Sequence, residues 1–289
     1  MNDYQMSWNT NEDLSEPAES KYLDENFMET VRPVLYQRLI RIGRNNDGGY
    51  TVPEDLMKKV STLISYGYGN DFSFERDFLK LNTSASVVLF DNQASLPNIT
   101  LEFFTSVMQR IFKAASYHHP KKNLRNLSTF IQLIYTPRLK YNKRKVVALG
   151  AVGRNEIVVD QTLPRDKKFA LKIDIEGAEY ACLKEIFKAR NLPLVLVVEF
   201  HEISKHQEDF RELLSFLKSK FLLVNTHFNN FGQVLGGIPQ IIEMTFIARL
   251  DIGNDFVPSS RIPSTIDQVN CVRKKEIVWE FNSSSIHEA

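Results

Sequence analysis

Short, continuous runs of apolar residues alternate through the middle of the chain with segments whose apolar positions recur at helical spacing. Thr62–Tyr66, Ser86–Phe90, Lys145–Leu149, Phe169–Ile173, Leu194–Phe200, Phe221–Val224 and Glu243–Leu250 read as seven strands. Strands that are apolar along their whole length belong to a sheet covered on both faces, and intervening helices make such a sheet parallel. The helix expected over 178–190 gathers Cys182, Leu183, Ile186 and Phe187 on one stripe. That over 205–220 does the same with Phe210, Leu213, Leu214 and Leu217, and Ser204 with Gln207 has the spacing of a capping box. The last two strands are joined by a loop without helical pattern and are expected to form an antiparallel edge hairpin. The fold class is therefore α/β: a doubly wound, mostly parallel, seven-stranded sheet with an antiparallel last strand and a helical insert.

The flanks read differently. Residues 1–37 form an acidic lead that becomes helical after about residue 21 and is interrupted near Pro33. Asp47-Gly-Gly is a strong turn signal, followed by a short strand at Tyr50–Val52. The α/β domain spans 38–250 and carries the insert at 92–144, with helices expected over 100–116 and 123–134. Residues 251–289 make a C-terminal extension without clear periodicity.

Composition narrows the class. The 289 residues are 43% apolar and 25% charged, an ordinary globular balance that supports a large core. Two cysteines, Cys182 and Cys271, cannot build a disulfide framework or a thiolate metal site. No signal-peptide h-region stands at the N-terminus, and the longest apolar run, Leu194–Val198, is too short to span a bilayer. A reducing, cytoplasmic location is expected. The net charge of +1 hides an asymmetry: Met1–Thr30 carries eight acids and one lysine, whereas Phe103–Asn155 has eleven Lys and Arg and no acid. Such a stretch suits a cationic wall facing an anionic substrate, a lipid headgroup or a nucleic acid.

The chemistry gathers at strand ends, where ligands bind in open α/β sheets. In Ser65-Tyr-Gly-Tyr-Gly-Asn-Asp71 the glycines allow a tight turn and close approach of a ligand, while Asp71 and Glu75 suit helix capping and first-turn charge. Phe72 stands where a dinucleotide fingerprint needs a third Gly, which weighs against NAD. Asp91 is placed to accept both hydroxyls of a ribose. Asp174 and Glu176, before Gly177, are candidates for divalent-metal ligation, general base or partner of a sulfonium; Glu179 suits the first helical turn. His201 and His227 end two strands on the same rim, together with Glu199 and Asn229, and neutral histidine is the usual base near pH 7.

The ordered set Asp-Gly-Gly-Tyr (47–50), Gly-Tyr-Gly-Asn-Asp-Phe-Ser-Phe-Glu (67–75), Leu-Phe-Asp (89–91), Leu-Lys-Ile-Asp-Ile-Glu-Gly-Ala-Glu (171–179), Glu-Phe-His (199–201) and His-Phe-Asn-Asn (227–230) resembles the FkbM-type methyltransferases. These are S-adenosylmethionine-dependent O-methyltransferases of the class I fold. The resemblance implies that Gly67, Gly69 and Asp71 line the methionine part of S-adenosylmethionine, that Asp91 holds its ribose, and that Gly150 and Ala151 lie near its adenine. It sets Asp174 and Glu176 at the reacting centre. Many class I enzymes carry an acid just before the first Gly; Ser65 and Tyr66 stand there instead. The implied reaction is methyl transfer to a hydroxyl of a sugar, glycan or related small molecule, the acid-free insert favouring an anionic (phosphorylated or lipid-linked) acceptor. His201 or His227 would be the base, and Asp174 and Glu176 would orient the hydroxyl or bind Mg²⁺. An RNA-directed methyltransferase using the basic insert and a non-catalytic cofactor-binding domain are the alternatives. Asp174→Ala is expected to spare folding and remove turnover.

Overall fold

The structure is a computed structural model that describes residues 23–67, 69, 71–92, 128, 131–132, 135–150, 152–165, 167–249 and 256–282. The acidic residues 1–22 and the helix expected over 100–116 lie outside the described residues. Ser128, Ile131, Gln132 and Tyr135 are helical, as the second insert helix requires.

Helix α1 (Glu25–Thr30) opens on Asp24, whose side chain caps Phe27 N–H at 2.8 Å. Strands β1 (Leu39–Gly43) and β2 (Gly49–Pro53) form a hairpin through the Asp-Gly-Gly turn, followed by the short α2 (Glu54–Met57). Then come β3 (Thr62–Tyr66), α3 (Ser73–Leu81), β4 (Ser86–Phe90), β5 (Leu139–Asn142), β6 (Lys145–Val147), β7 (Glu156–Val158) and β8 (Phe169–Ile173). Helix α4 (Glu179–Ile186), β9 (Val195–Phe200), α5 (Gln207–Lys220) and β10 (Phe221–Phe228) follow. The chain closes with β11 (Val234–Leu235), β12 (Ile238–Pro239), β13 (Ile242–Ala248), β14 (Arg261–Ile262) and β15 (Trp279–Glu280).

Seven strands make the central sheet in the order β10-β13-β9-β8-β3-β4-β5, parallel except for β13. One strand expectation is corrected. The sheet strand after β4 is Leu139–Asn142; Lys145–Val147 instead pairs with Glu156–Val158 outside the sheet. The last two strands form the expected antiparallel edge hairpin, with β13 lying between β9 and β10. The capping box is also absent: Ser204 sits in a 3₁₀ turn with its N–H on Gln240 Oε1 at 3.0 Å, and α5 starts at Gln207 without a side-chain cap.

The two faces of the sheet differ. One, packed by α4 and α5, is mostly apolar, with Tyr66, Ile173, Val198, Phe200 and Phe246 in a single core. The other begins apolar beneath α3 and α2, where Leu63, Ala170, Val195 and Val197 pack on Phe74 and Phe78. Toward the C-terminal strand ends it turns polar: Ser65, Lys172, Glu199, Glu243 and His227 lie in this half, all buried. Register sets Ser65 beside Lys172, Glu199 beside Glu243 and Glu243 beside His227. The β1–β2 hairpin covers this row. Burying five such groups is unfavourable unless each finds a hydrogen bond or a counter-charge.

Candidate functional site

Strand order reverses at β3: β4 and β5 follow on one side of it and β8 returns on the other, and the crevice at such a point lies beyond the C-terminal ends of β3 and β8. Gly67 turns the chain there with φ +91°; a Cβ on it would fall 1.7 Å from Asp174 O, so no other residue fits. Gly69 has φ +52°, and among the described residues nothing lies within 4 Å of the place a Cβ would occupy. Asp71 Oδ1 accepts Ser73 N–H at 3.0 Å, and Arg44 Nε lies 3.3 Å from Oδ2, a buried atom that receives no hydrogen bond among the described residues. Asp91 follows β4; its N–H donates to Asn142 O at 3.2 Å and its carbonyl accepts Tyr141 O–H at 3.1 Å.

Asp174 leaves β8 into the crevice. Its Oδ2 receives Lys172 Nζ at 3.1 Å and Tyr50 Oη at 3.0 Å, while among the described residues no hydrogen bond falls on Oδ1. Burial works to raise this carboxyl, but Lys172, His201 and the Tyr50 hydroxyl outweigh it and hold it below the usual carboxylate range. Lys172 is charged for the same reason: burial opposes the ammonium, and Asp174 and Glu75 overcome it. Glu199, next across the sheet, takes Tyr50 Oη at 2.8 Å on Oε2 and Asn229 Nδ2 at 2.8 Å on Oε1. Burial first, then the Asp174 and Glu243 charges, push its carboxyl well above the ordinary value.

His201 stands over the same crevice with its side chain 11% exposed. Nδ1 meets Glu179 Oε1 at 2.9 Å, and Nε2 lies 3.7 Å from Glu176 and 3.9 Å from Glu199. Glu179 is no solvated first-turn charge: it is fully buried, and its oxygens accept Ile175 N–H at 3.1 Å and Gly177 N–H at 2.8 Å. Burial disfavours the imidazolium, but the Glu179 hydrogen bond and charge, together with Asp174, raise His201 to about 10. His227 is enclosed instead, between Glu243 at 3.0 Å and Glu276 at 3.4 Å, and Glu243 with Glu276 likewise overcomes burial and raises it to about 10. Both imidazoles are cations at neutral pH. The expectation of a neutral histidine base does not match this charge state, because each ring is clamped by buried carboxylates.

Glu176, at φ +54°, is 81% exposed, and its Oε2 lies 3.7 Å from His201 Nε2. The expected Asp174–Glu176 site for Mg²⁺ is not formed: among the described residues no three His, Cys, Asp or Glu stand together as a metal cluster. Gly150 lies exposed in the β6–β7 connection rather than at the end of a sheet strand, and Ala151 lies outside the described residues. Asn142 is the residue that pairs with Phe90 beside Asp91. The crevice thus joins Gly67, Asp174 and His201 and leaves His227 under the C-terminal segment.

Four groups of the site went unassigned in the sequence. Lys172 has a signal, since a lysine inside an otherwise apolar strand must be paired. Glu75 does not; it reaches back from α3 to accept Ser65 Oγ at 2.5 Å, so a carboxylate rests on the serine that stands where an acid was expected. Tyr50 and Glu243 arrive through the hairpin and the inserted strand, which only the tertiary structure brings in.

No curated protein sequence matches this one. Among solved structures the chain is similar to a dimethyladenosine transferase from Plasmodium falciparum (10% identity, 71% of this chain and 61% of that one, TM-score 0.35). It is also similar to the 23S rRNA methyltransferase ErmE (10% identity, 68% of this chain and 66% of that one, TM-score 0.38). A third similarity is to NcsB1, an O-methyltransferase from neocarzinostatin biosynthesis in complex with S-adenosylmethionine and 2-hydroxy-5-methyl naphthoic acid (11% identity, 65% of this chain and 49% of that one, TM-score 0.29). The chain spans less than two thirds of the dimethyladenosine transferase and of NcsB1. The methyltransferase FkbM domain matches residues 51–222, a span that holds the glycine turn, Asp91, Asp174 and His201, and on that match the chain belongs to the FkbM methyltransferase domain family.

Proposed function

We propose that this protein is an S-adenosylmethionine-dependent O-methyltransferase acting on a hydroxyl of a sugar, glycan or related small molecule with anionic character. One observation carries the reading. Asp174 holds a charged carboxylate at the crevice with Oδ2 committed to Lys172 and Tyr50 and Oδ1 open, in a side chain 27% exposed. The chain's features fit the cofactor: the left-handed backbone at Gly69, the buried Asp71 Oδ2 without a hydrogen bond among the described residues and the tight Gly67 turn would receive its amino-acid end, and Asp91 its ribose. With β5 beside Asp91, Asn142 rather than Gly150 bounds the adenine side in this proposal. When bound, S-adenosylmethionine supplies a methyl group on a positively charged sulfur.

The residues' own tasks are positioning and proton handling. Transfer needs an acceptor oxygen held at near-attack distance in line with the bond that breaks, with water excluded. An aliphatic hydroxyl is a poor acid, so its proton must be met by a base. Asp174 Oδ1 is the ionised group open to that hydroxyl, and His201, a cation beside it, orients the acceptor. His227 has no open face in this arrangement and is assigned to support. The acceptor's anionic character is inferred from Lys143, Arg144 and Lys145, exposed just beyond the end of β5 on the rim that carries Asp91.

The same basic stretch favours a second reading, methylation of RNA. Calorimetric titration with S-adenosylmethionine, then a methyl-transfer screen over sugar phosphates, glycans and short RNAs, separates the two. Turnover on a sugar phosphate supports the proposal. RNA binding that falls steeply with salt, with methyl incorporation into RNA, would replace it. Absence of any heat with S-adenosylmethionine would leave a domain that keeps the fold without the chemistry.

A further inference from the structure

A phenol carries one proton. Tyr50 Oη nonetheless stands within hydrogen-bonding distance of two carboxyl groups, 3.0 Å from Asp174 Oδ2 and 2.8 Å from Glu199 Oε2. It can donate to only one of them. Were both carboxyls ionised, the other contact would press a buried carboxylate oxygen against the phenol's lone pairs, and Asp174, Glu199 and the adjacent Glu243 would stand as three anions in one enclosed row.

The surroundings decide which carboxyl holds a proton. Asp174 Oδ2 has the buried ammonium of Lys172 at 3.1 Å. Among the described residues Glu199 has no lysine or arginine contact, and its nearest cation, His201, stands 3.9 Å from Oε1 with its Nδ1 already held by Glu179 at 2.9 Å. Glu199 Oε1 accepts from Asn229 Nδ2 at 2.8 Å, which leaves Oε2 as the oxygen able to carry hydrogen. Glu243, its cross-strand neighbour, is compensated by His227 at 3.0 Å and by Asn270 Nδ2 at 2.6 Å.

We propose that Glu199 is the neutral acid of this pair, that its Oε2–H donates to Tyr50 Oη, and that Tyr50 in turn donates to Asp174 Oδ2, fixing Asp174 as the anion that faces the crevice. Every hydrogen bond in the chain Asn229–Glu199–Tyr50–Asp174–Lys172 then has one donor and one acceptor. Tyr50 is a positioning residue, supplied by the β1–β2 hairpin, and it couples the seating of that hairpin to the charge state of Asp174. The catalytic meaning of this coupling rests on the reading of Asp174 given above; the proton count does not.

The test uses the full chain without ligand, and two substitutions. In Glu199→Gln an amide replaces the protonated acid, donating to Tyr50 and accepting from Asn229, so the chain survives. Tyr50→Phe breaks both of its bonds. The groups that face Glu199 are Tyr50, Asp174, Lys172, His201, Glu243 and Asn229, and all remain in Glu199→Gln. At pH 7 the infrared spectrum of the native protein should contain the carbonyl band of a buried protonated carboxyl. That band should vanish in Glu199→Gln and shift in Tyr50→Phe. Unfolding at pH 7, followed by calorimetry in buffers of different ionisation heat, should release one proton fewer from Glu199→Gln than from the native protein, because Glu199 ionises when it unfolds. If methyl transfer is found, Glu199→Gln should keep it within about threefold, and Tyr50→Phe should lose about tenfold or more, the scale of one charge-assisted hydrogen bond. Absence of the band, or equal proton release from the two proteins, overturns the proposal. Glu199→Gln as inactive as Tyr50→Phe would also overturn it. If S-adenosylmethionine does not bind while the band and the proton difference are present, the functional reading falls and the proton assignment stands.

Discussion

Two histidines in this protein make the same bond and do different work. His201 and His227 each place Nδ1 on a buried glutamate, at 2.9 and 3.0 Å, and each is raised to about 10 against the opposing effect of burial. His201 keeps an opening toward the crevice. His227, with its side chain 2% exposed, is closed on its second nitrogen by Glu276 from the C-terminal segment. A charged imidazole is thus no mark of a catalytic site. What distinguishes the two is the second nitrogen: His227 Nε2 is within hydrogen-bond reach of Glu276, whereas His201 Nε2 has only the longer approaches of the exposed Glu176 at 3.7 Å and of Glu199 at 3.9 Å.

Several substitutions would break or sharpen this comparison. The largest effect belongs to the turn that makes the crevice. Gly67→Ala would drive a Cβ into the Asp174 carbonyl and force an L residue into a left-handed backbone, costing more than about 3 kcal/mol by thermal melting and removing cofactor binding. His227→Gln comes next: it leaves Glu243 enclosed without its cation and should cost about 3–5 kcal/mol in chemical denaturation. His201→Gln, nearer the opening, should cost about 1–3 kcal/mol while lowering turnover by about 100-fold, so the ratio of activity loss to stability loss is the readout. Equal ratios for the two histidines would dissolve the distinction.

Asp174→Asn should remove turnover, with a stability loss of about 1–3 kcal/mol from the weakened Lys172 pairing. The expectation that Asp174→Ala spares folding therefore changes, because alanine strips a buried ammonium of its nearest counter-charge. The pH dependence has a definite sign. Both histidines have folded-state values above the unfolded one, so their stabilisation is complete below about pH 6.5 and is lost as pH rises toward 10. Melts from pH 6 to 10 should show falling stability, by up to about 1.4 kcal/mol per pH unit for each imidazole, and His227→Gln should flatten the curve. The smallest effect is expected at Glu176→Gln: exposed and outside any metal cluster, it should change stability by less than about 0.5 kcal/mol and leave turnover near native.

Much of this architecture is legible from hydrophobic pattern. Strands such as Thr62–Tyr66, Phe169–Ile173 and Val195–Phe200 are buried at every position and were readable because few polar residues, Thr62, Ser65, Lys172 and Glu199, stand among their apolar ones. The third sheet strand was not. Leu139–Asn142 is a short edge strand of mixed polarity, whereas the more apolar Lys145–Val147 looks better in isolation but pairs elsewhere. That slip moved the adenine-side assignment to Gly150 and Ala151. Within the site, the acids at strand ends were visible and their partners were not. Glu75, Glu179 and Tyr50 carry ordinary local explanations as a first-turn charge, a helix-start acid and a strand aromatic, and it is packing that buries them.

The sequence by itself determined the alternation of strands and helices, the glycine turn and the rim on which Asp174 and His201 emerge, because periodicity and backbone freedom are local properties. Only the tertiary structure decided which charges survive there. Insertion of β13 between β9 and β10 sets Glu243 against Glu199, and closure of the hairpin lowers Tyr50 between two carboxyls. Ionisation depends on what surrounds a group in space, and those surroundings come from residues far apart in the chain, Tyr50 being 149 positions from Glu199.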